Sequence, residues 1–488
     1  MKKTNDPSSI LICGGGIAGL SLAILLKQKG FSPLVIEKQK IIPSIPKGEF
    51  FQPEGVEKLQ SLGVLENLLK KPSAIRIDKL SHHYLWLHQR KHFEFSYKEC
   101  DITPAFGLSI LHEELLDVLR EKFESMGGDF LPGVYLKKID SKKNHIVSTL
   151  SNNDIVKTNF FIGADGRFST TRRMLGKFPR NLPCDHIILG AFIREKTESF
   201  FLKNNEFYTE TTKKGVLYAF RYPDARVRVY LCFKASEIPF IQKNKENYLF
   251  ELLRHSQMIG SRPFRIEGAT WMMPTVDSIL DQPYHNRCIW IGDASGTVDP
   301  LSGHGMSLSL SDSFFVGDFF ENLSSIPKNK ISKTIEGLGK KIKKNHLHGR
   351  FVGSWLGVLF LTNSLIIQSI KNIAFTRYQS DLSLKKHLIG LFSGKNRENI
   401  ALYDLPYLLG LLPTSLRTRL HQNFLAQKSL DLQNLIATYP IALRPKLYSK
   451  NITNWIKEKK AKLHFRSNLR SIEEVDINKK GLDNNQDL

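Results

Sequence analysis

Residues 9–37 read SILICGGGIAGLSLAILLKQKGFSPLVIE. An apolar run up to Cys13, a glycine turn, an apolar helical stretch and a second β-branched run ending at Glu37 make a βαβ unit. Gly14-x-Gly16-x-x-Gly19 follows a strand and opens a helix, which is the setting in which this spacing carries information. Gly14 permits a tight turn, Gly16 lets backbone approach a pyrophosphate, and Gly19 allows close packing of the helix. Glu37 closes the second strand, where a carboxylate accepts hydrogen bonds from both ribose hydroxyls of an adenosine and disfavours a 2′-phosphate.

Two further segments narrow the dinucleotide. FFIGADGRFSTTRR at 160–173 places Asp165 between a strand and a helix, and IWIGDASGTVDPLSGHGMSLSLSDS at 289–313 places Asp293 at another strand end. A long dinucleotide lying across a parallel sheet needs strand-end acids for its ribityl hydroxyls and helix N-termini for its phosphates and ring carbonyls. The turn containing Pro300, Gly303 and Gly305 suits backbone running against a flat ring. Each aspartate taken singly also reads as an N-cap or turn residue; the three acids in this order point to FAD.

Between these segments the chain changes character. HIILGAFIR, GVLYAFRY and RVRVYLCFKA are rich in β-branched and aromatic residues and predict an antiparallel sheet across 185–275. Residues 54–70 and 111–126 have helical periodicity, with Leu111, Leu115 and Leu119 on one face. The expected fold is therefore α/β: a Rossmann-like FAD-binding domain over 1–184 and 281–330, interrupted by a β-sheet substrate domain over 185–280. A basic helical region follows over 331–465, and a polar tail over 466–488.

Of the net charge of +23, residues 331–488 hold 26 basic and 11 acidic side chains. The excess belongs mainly to the last third, which carries no nucleic-acid-binding motif, so a polynucleotide partner is not expected. Five dispersed cysteines without a CxxC pair predict no disulfide framework and no metal site, and suit a cytoplasmic setting. Residues 351–370, FVGSWLGVLFLTNSLIIQSI, carry no charge, and 401–413 form a second apolar segment. The longer stretch reads as a helix buried against the flavin domain, one dipping into a single leaflet, or a span burdened by its polar residues. Lys340, Lys341, Lys343, Lys344 and Arg350 precede it. They suggest that residues 335–470 meet an anionic membrane surface, the protein then sitting peripherally on the cytoplasmic membrane.

The order GxGxxG with Glu, GADGRFS, then GDA with DP and two glycines resembles the flavoprotein aromatic hydroxylase superfamily across residues 9–320. Within it, GEFFQPEGVEKLQSLGV at 48–64, WMMP at 271–274 and GDASGTVDPLSGHGMSLSLSDS at 292–313 are similar to squalene epoxidase. The resemblance implies flavin contacts at Ile17, Ala18, Glu37, Lys38, Phe50, Asp293 and Met306. The family's arginine before the GE segment is replaced in the stretch Ile45-Pro46-Lys47. Its arginine ahead of the L-x-x-x-L helix has His112 as the nearest equivalent, and its HPL reads Asp299-Pro300-Leu301. Tyr84, reached through an insertion, is the nearest match to the family's active-site tyrosine.

The activity so implied is monooxygenation. NAD(P)H reduces FAD, O2 adds to the reduced ring to give a C4a-hydroperoxide, and its distal oxygen epoxidises or hydroxylates a small apolar or aromatic substrate. No paired carboxylates or nucleophile–base arrangement stands out, as suits chemistry carried by a cofactor. Three alternatives remain open. A prenyl-lipid reductase shares the DPLSG-like turn. A halogenase needs an active lysine, for which Lys79 is available, and a W-x-W-x-I-P motif, against which Trp271-Met272-Met273-Pro274 lacks the second tryptophan. A non-catalytic flavoprotein acting as a redox or assembly partner is the third.

Overall fold

The computed structural model describes residues 10–395 apart from 43–49, 183–185, 197–201, 204, 213, 243, 261 and 363–364. Gly48, Glu49, Ile45–Lys47, Cys184, the apolar segment 401–413 and the polar tail lie outside the described residues.

Strand β1 (Ile10–Cys13) is buried on both faces, as its unbroken apolar sequence requires of a central parallel strand. Helix α1 (Ile17–Gln28) returns the chain to β2 (Pro33–Glu37), and β5 (Asp129–Pro132) and β6 (Phe160–Gly163) add further parallel strands. With β12 (Tyr284–His285) and β13 (Cys288–Trp290) they form a six-stranded sheet in the order β12-β13-β6-β1-β2-β5. Cys13 pairs with both Ile36 and Gly163, so Gly14, Glu37 and Ala164 emerge side by side at one edge. That edge is where chains of this topology split to either side of the first strand and leave a crevice. Helix α1 packs on α2 (His112–Ser125) and α3 (Gly305–Glu321), around a core containing Leu20, Ile24, Leu119, Ile162 and Val316.

The second sheet comprises β3 (Lys79–Trp86), β4 (Gln89–Ser96), β7 (His186–Glu195), β8 (Glu206–Thr211), β9 (Gly215–Arg221), β10 (Arg226–Lys234) and β11 (Phe264–Pro274). Its order is β11-β7-β10-β9-β8-β3-β4. The expected antiparallel strands are present, but the sheet is wider than 185–280. The hairpin of β3 and β4, from the segment assigned to the FAD-binding part, joins it through a parallel pairing of β3 with β8, Glu206 opposite Lys79. Register between strands more than 120 residues apart is set by side-chain packing in three dimensions and leaves no local pattern.

The C-terminal region is helical: α4 (Ile331–Leu361), α5 (Leu365–Ser380) and α6 (Leu382–Phe392). Among the described residues no single helix is long and apolar enough to cross a membrane, and the stretch 351–370 is divided between α4 and α5, which meet at a bend of 114°. The half on α4 is buried over the second sheet, with Phe351, Leu356 and Phe360 in one cluster with Tyr84, Phe93 and Phe375. On α5, Leu365 and Ile366 are exposed.

Four of the five basic residues ahead of this stretch have partners within the chain. Arg350 is buried and bonds Asp277, Lys343 pairs with Asp281, Lys340 with Glu336, and Lys341 lies over the Phe315 ring at 4.0 Å. Charge counts cannot reveal acids brought in from distant sequence. Polar side chains also join α4 to the nucleotide-binding sheet. Asp312 on α3 accepts from the Gly292 amide at 2.9 Å and from Asn345 Nδ2 at 2.9 Å, and lies 2.8 Å from His346 Nε2.

Candidate active site

One cavity of about 800 Å³ begins at the edge of the parallel sheet and runs beneath the second sheet and α4–α6. At its start stands the glycine turn, and each glycine there has a different constraint. Gly14 has φ +118°, and a Cβ on it would lie 2.3 Å from the Ala164 carbonyl oxygen. A Cβ on Gly19 would lie 1.9 Å from the Gly14 oxygen, whereas one on Gly16 would meet nothing within 4 Å. Gly14 and Gly19 thus fix the turn, and Gly16 leaves open space in front of the first turn of α1. No side chain caps that turn, so its amides are free for an anion. Gly19 itself does not line the cavity; its contribution is packing alone.

Glu37 lines the cavity and steadies the turn: Oε2 accepts from the Gly15 amide at 2.7 Å and Oε1 from the Gln39 amide at 2.9 Å. Each carboxylate oxygen keeps a further lone pair. Asp165 also lines the cavity, but its carboxylate is held by the following helical turn. Oδ2 accepts from the Thr170 and Thr171 amides at 2.8 and 3.0 Å, and Oδ1 from the Thr171 hydroxyl at 2.9 Å. Asp165 thus bonds the first amides of a helical turn whose N-cap is Ser169, and it shapes the loop rather than reaching out from it.

Ile17, Ala18, Lys38, Phe50, His112, Asp293, Pro300, Gly303, Gly305 and Met306 all line the same cavity. Gly303 occupies the left-handed region at φ +65°, which ends the Pro300–Ser302 turn, and a Cβ on Gly305 would meet nothing within 4 Å. Like α1, α3 begins without a side-chain cap and without an acid in its first turn. Asp299, standing where the similar family has histidine, is buried; it accepts from the Leu301 amide at 3.0 Å and lies 3.0 Å from His186 Nε2. It supports the turn from beneath.

Tyr84 is not brought to this site. It is buried behind the wall on β3, its hydroxyl donates to Asn372 Oδ1 at 3.2 Å, and burial pushes its pKa up to about 12. Lys79 pairs with Glu94 at 2.7 Å and is likewise absent from the cavity lining.

Several lining residues carried no usable signal or an unread one. Gln52 lies in the GEFFQP segment, and the buried Tyr97 hydroxyl donates to its Oε1 at 2.7 Å. The far end is lined by Phe93, Phe95, Leu356, Phe360, Phe375 and Tyr378, with His82 and Lys371 among them. His82 is held by the hydroxyls of Thr209 and Thr211 at 2.7 and 3.2 Å, and burial, reinforced by Lys371, keeps its pKa well below the usual range. Trp271 and Met273 from the WMMP segment also line the cavity, Trp271 packing where Gly190 leaves room for its ring.

Comparison with known proteins agrees with this geometry. The FAD binding domain family model matches residues 8–320. The chain is 25% identical over 398 residues to the FAD-dependent monooxygenase penM of Penicillium crustosum, covering 76% of this chain and 82% of that one. It is 25% identical over 361 residues to squalene epoxidase 3 of Arabidopsis thaliana, covering 68% of this chain and 64% of the relative, a little under two thirds of its length. In fold it is similar to p-nitrophenol 4-monooxygenase PnpA from Pseudomonas putida DLL-E4, with a TM-score of 0.70 at 13% identity, covering 80% and 98% of the two chains. It is also similar to the flavin-dependent halogenase CmlS, with a TM-score of 0.65 at 15% identity, covering 86% and 78%. With the glycine turn, the strand-end acids and the matched span agreeing, the chain belongs to the FAD binding domain family and is an FAD-dependent oxidoreductase of the kind that includes the monooxygenases.

Proposed function

We propose that this chain is a monooxygenase that takes electrons from NADH or NADPH and uses O2 to epoxidise or hydroxylate a small apolar or aromatic molecule. The observation that carries this reading is the continuity of the cavity, from the open space at Gly16 to the aromatic wall at Phe360 and Phe375. The residues present fit FAD. The Gly16 amide and the start of α1 would receive the pyrophosphate, Glu37 the ribose, and Asp293 the ribityl hydroxyls. Gly303, Gly305 and the start of α3 would flank the ring. Bound there, FAD supplies electron transfer and oxygen activation. The chain contributes position and dryness: the aromatic end excludes water and holds the substrate against the flavin end.

The test is reconstitution with FAD followed by paired measurement of NAD(P)H oxidation and O2 uptake while polyenes, quinone precursors and phenols are screened. Substrate-stimulated uptake matching NAD(P)H oxidation is expected. Protein that stays colourless sinks the reading; NAD(P)H oxidation without O2 uptake favours a prenyl-lipid reductase. Bound FAD that no nicotinamide reduces favours a redox or assembly role. The lysine that the halogenase alternative draws on, Lys79, is engaged with Glu94 outside the cavity.

A membrane surface is a second reading, supported by Leu365 and Ile366, 67% and 71% exposed at the start of α5. Apolar side chains so placed on a basic region suit shallow insertion into an anionic leaflet. Co-sedimentation with vesicles containing phosphatidylserine should fall sharply in the double variant Leu365→Asp, Ile366→Asp; unchanged sedimentation removes this partner.

A further inference from the structure

The lining of the cavity divides its charges unevenly. The three carboxylates that line it among the described residues, Glu37, Asp165 and Asp293, stand at the strand-end edge of the parallel sheet. The aromatic end holds a cation instead. Lys371 on α5 is 1% exposed, and its Nζ makes no hydrogen bond or ion pair with any described residue. Its nearest aromatic support is the Tyr84 ring, 5.3 Å from Nζ. His82, also in this wall, spends its ring nitrogens on Thr209 and Thr211 and adds no negative charge. Two other buried lining donors, Trp271 Nε1 and Tyr218 Oη, are without partners among the described residues.

A buried ammonium with no partner is costly, and such groups persist where something supplies the missing charge or acceptor. A purely hydrocarbon substrate leaves this one unsatisfied. We propose that Lys371 is a specificity-determining residue. It selects substrates that combine an apolar or aromatic body with one acidic oxygen (a phenol, an enol or a carboxylic acid), whose oxygen takes a charge-assisted hydrogen bond from Nζ. Elsewhere along the cavity lining, Tyr218 Oη on β9 and Trp271 Nε1 on β11 are further donors. The inference rests on the proposed function, because it assigns the aromatic end of the cavity to substrate.

The experiment uses the FAD-loaded full chain and three probes of equal body: hexylbenzene, 4-hexylphenol and 4-hexylbenzoate, with binding measured calorimetrically. The wild type should bind 4-hexylbenzoate about tenfold or more tightly than hexylbenzene, the scale of one charge-assisted hydrogen bond, with 4-hexylphenol between them. Lys371→Met should abolish the preference while leaving hexylbenzene affinity within about twofold, and Lys371→Arg should retain part of it. A wild type without preference, or a Met variant that keeps it, overturns the assignment. FAD uptake, read from the visible spectrum of the same samples, separates the two ideas. Loss of flavin binding strikes the proposed function, whereas unchanged selectivity in flavin-loaded protein strikes Lys371 alone.

Discussion

Arg350 on α4 and Asp277, just after β11, form a buried ion pair with Nε 2.7 Å from Oδ1, and the same guanidinium donates to the carbonyls of Ser278 at 2.8 Å and Thr297 at 3.1 Å. Thr297 lines the cavity. One side chain from the C-terminal region therefore holds in place the backbone that walls the cavity.

Removing either partner leaves an uncompensated charge in the interior. Arg350→Met and Asp277→Ala should each lower unfolding free energy by about 3–5 kcal/mol, read from urea denaturation. Loss of under about 1 kcal/mol, the scale of an exposed pair, would contradict the buried geometry.

The three glycines should separate by phenotype. Gly14→Ala and Gly19→Ala place a methyl group against backbone and should prevent soluble folding. Gly16→Ala should cost the apoprotein no more than about 1 kcal/mol yet weaken FAD binding about tenfold or more, because its methyl enters the space assigned to the pyrophosphate. Fluorescence titration with FAD and thermal denaturation of the apoprotein distinguish the two classes.

Tyr84→Phe should leave turnover unchanged and reduce stability by about 0.5–1.5 kcal/mol, the worth of its hydrogen bond to Asn372. A large loss of kcat with FAD binding intact would restore it as a participant in the reaction.

Burial alone pushes the Lys371 ammonium down to about 7, with His82 and Tyr84 the titratable groups facing it. In the unfolded chain it returns to the ordinary lysine value near 10.5. The unfolded chain therefore binds more protons between these values, and stability rises with pH across that window. Below 7 both states carry the charge and the full penalty is present. Lys371→Met should thus be more stable than wild type, by an amount greatest below pH 7 and vanishing toward pH 10.5, measured without ligand. A constant difference across that range would show that the ammonium is not the source.

The nucleotide-binding half was legible because its signals are local: Gly14, Gly16, Gly19 and Glu37 fall within one βαβ unit of 29 residues, although the carbonyl that crowds Gly14 belongs to the distant Ala164. Most of the lining residues around Asp293 and Gly305 were legible for the same reason. The other half depends on contacts distant in sequence. Strand β3, with His82, His83 and Lys79, looks polar in isolation and gains its place only by pairing with β8. Arg350 reads as a flank of an apolar stretch until Asp277 is placed beside it, and Lys371 reads as the opposite flank until α5 turns it inward.

Helix α4 holds Gly292 in place through Asp312, with Asn345 and His346 near its middle, and closes the aromatic wall with Leu356 and Phe360 near its end. A single rod thereby sets the spacing between the two ends of the cavity. Exchanging the C-terminal third with that of a relative, as a way of borrowing a different substrate preference, will also disturb the strand-end backbone at Gly292, beside the proposed seat of the cofactor. Retargeting is better sought by point changes on the inner faces of α5 and α6, where side chains meet the chamber without carrying the floor beneath Gly292.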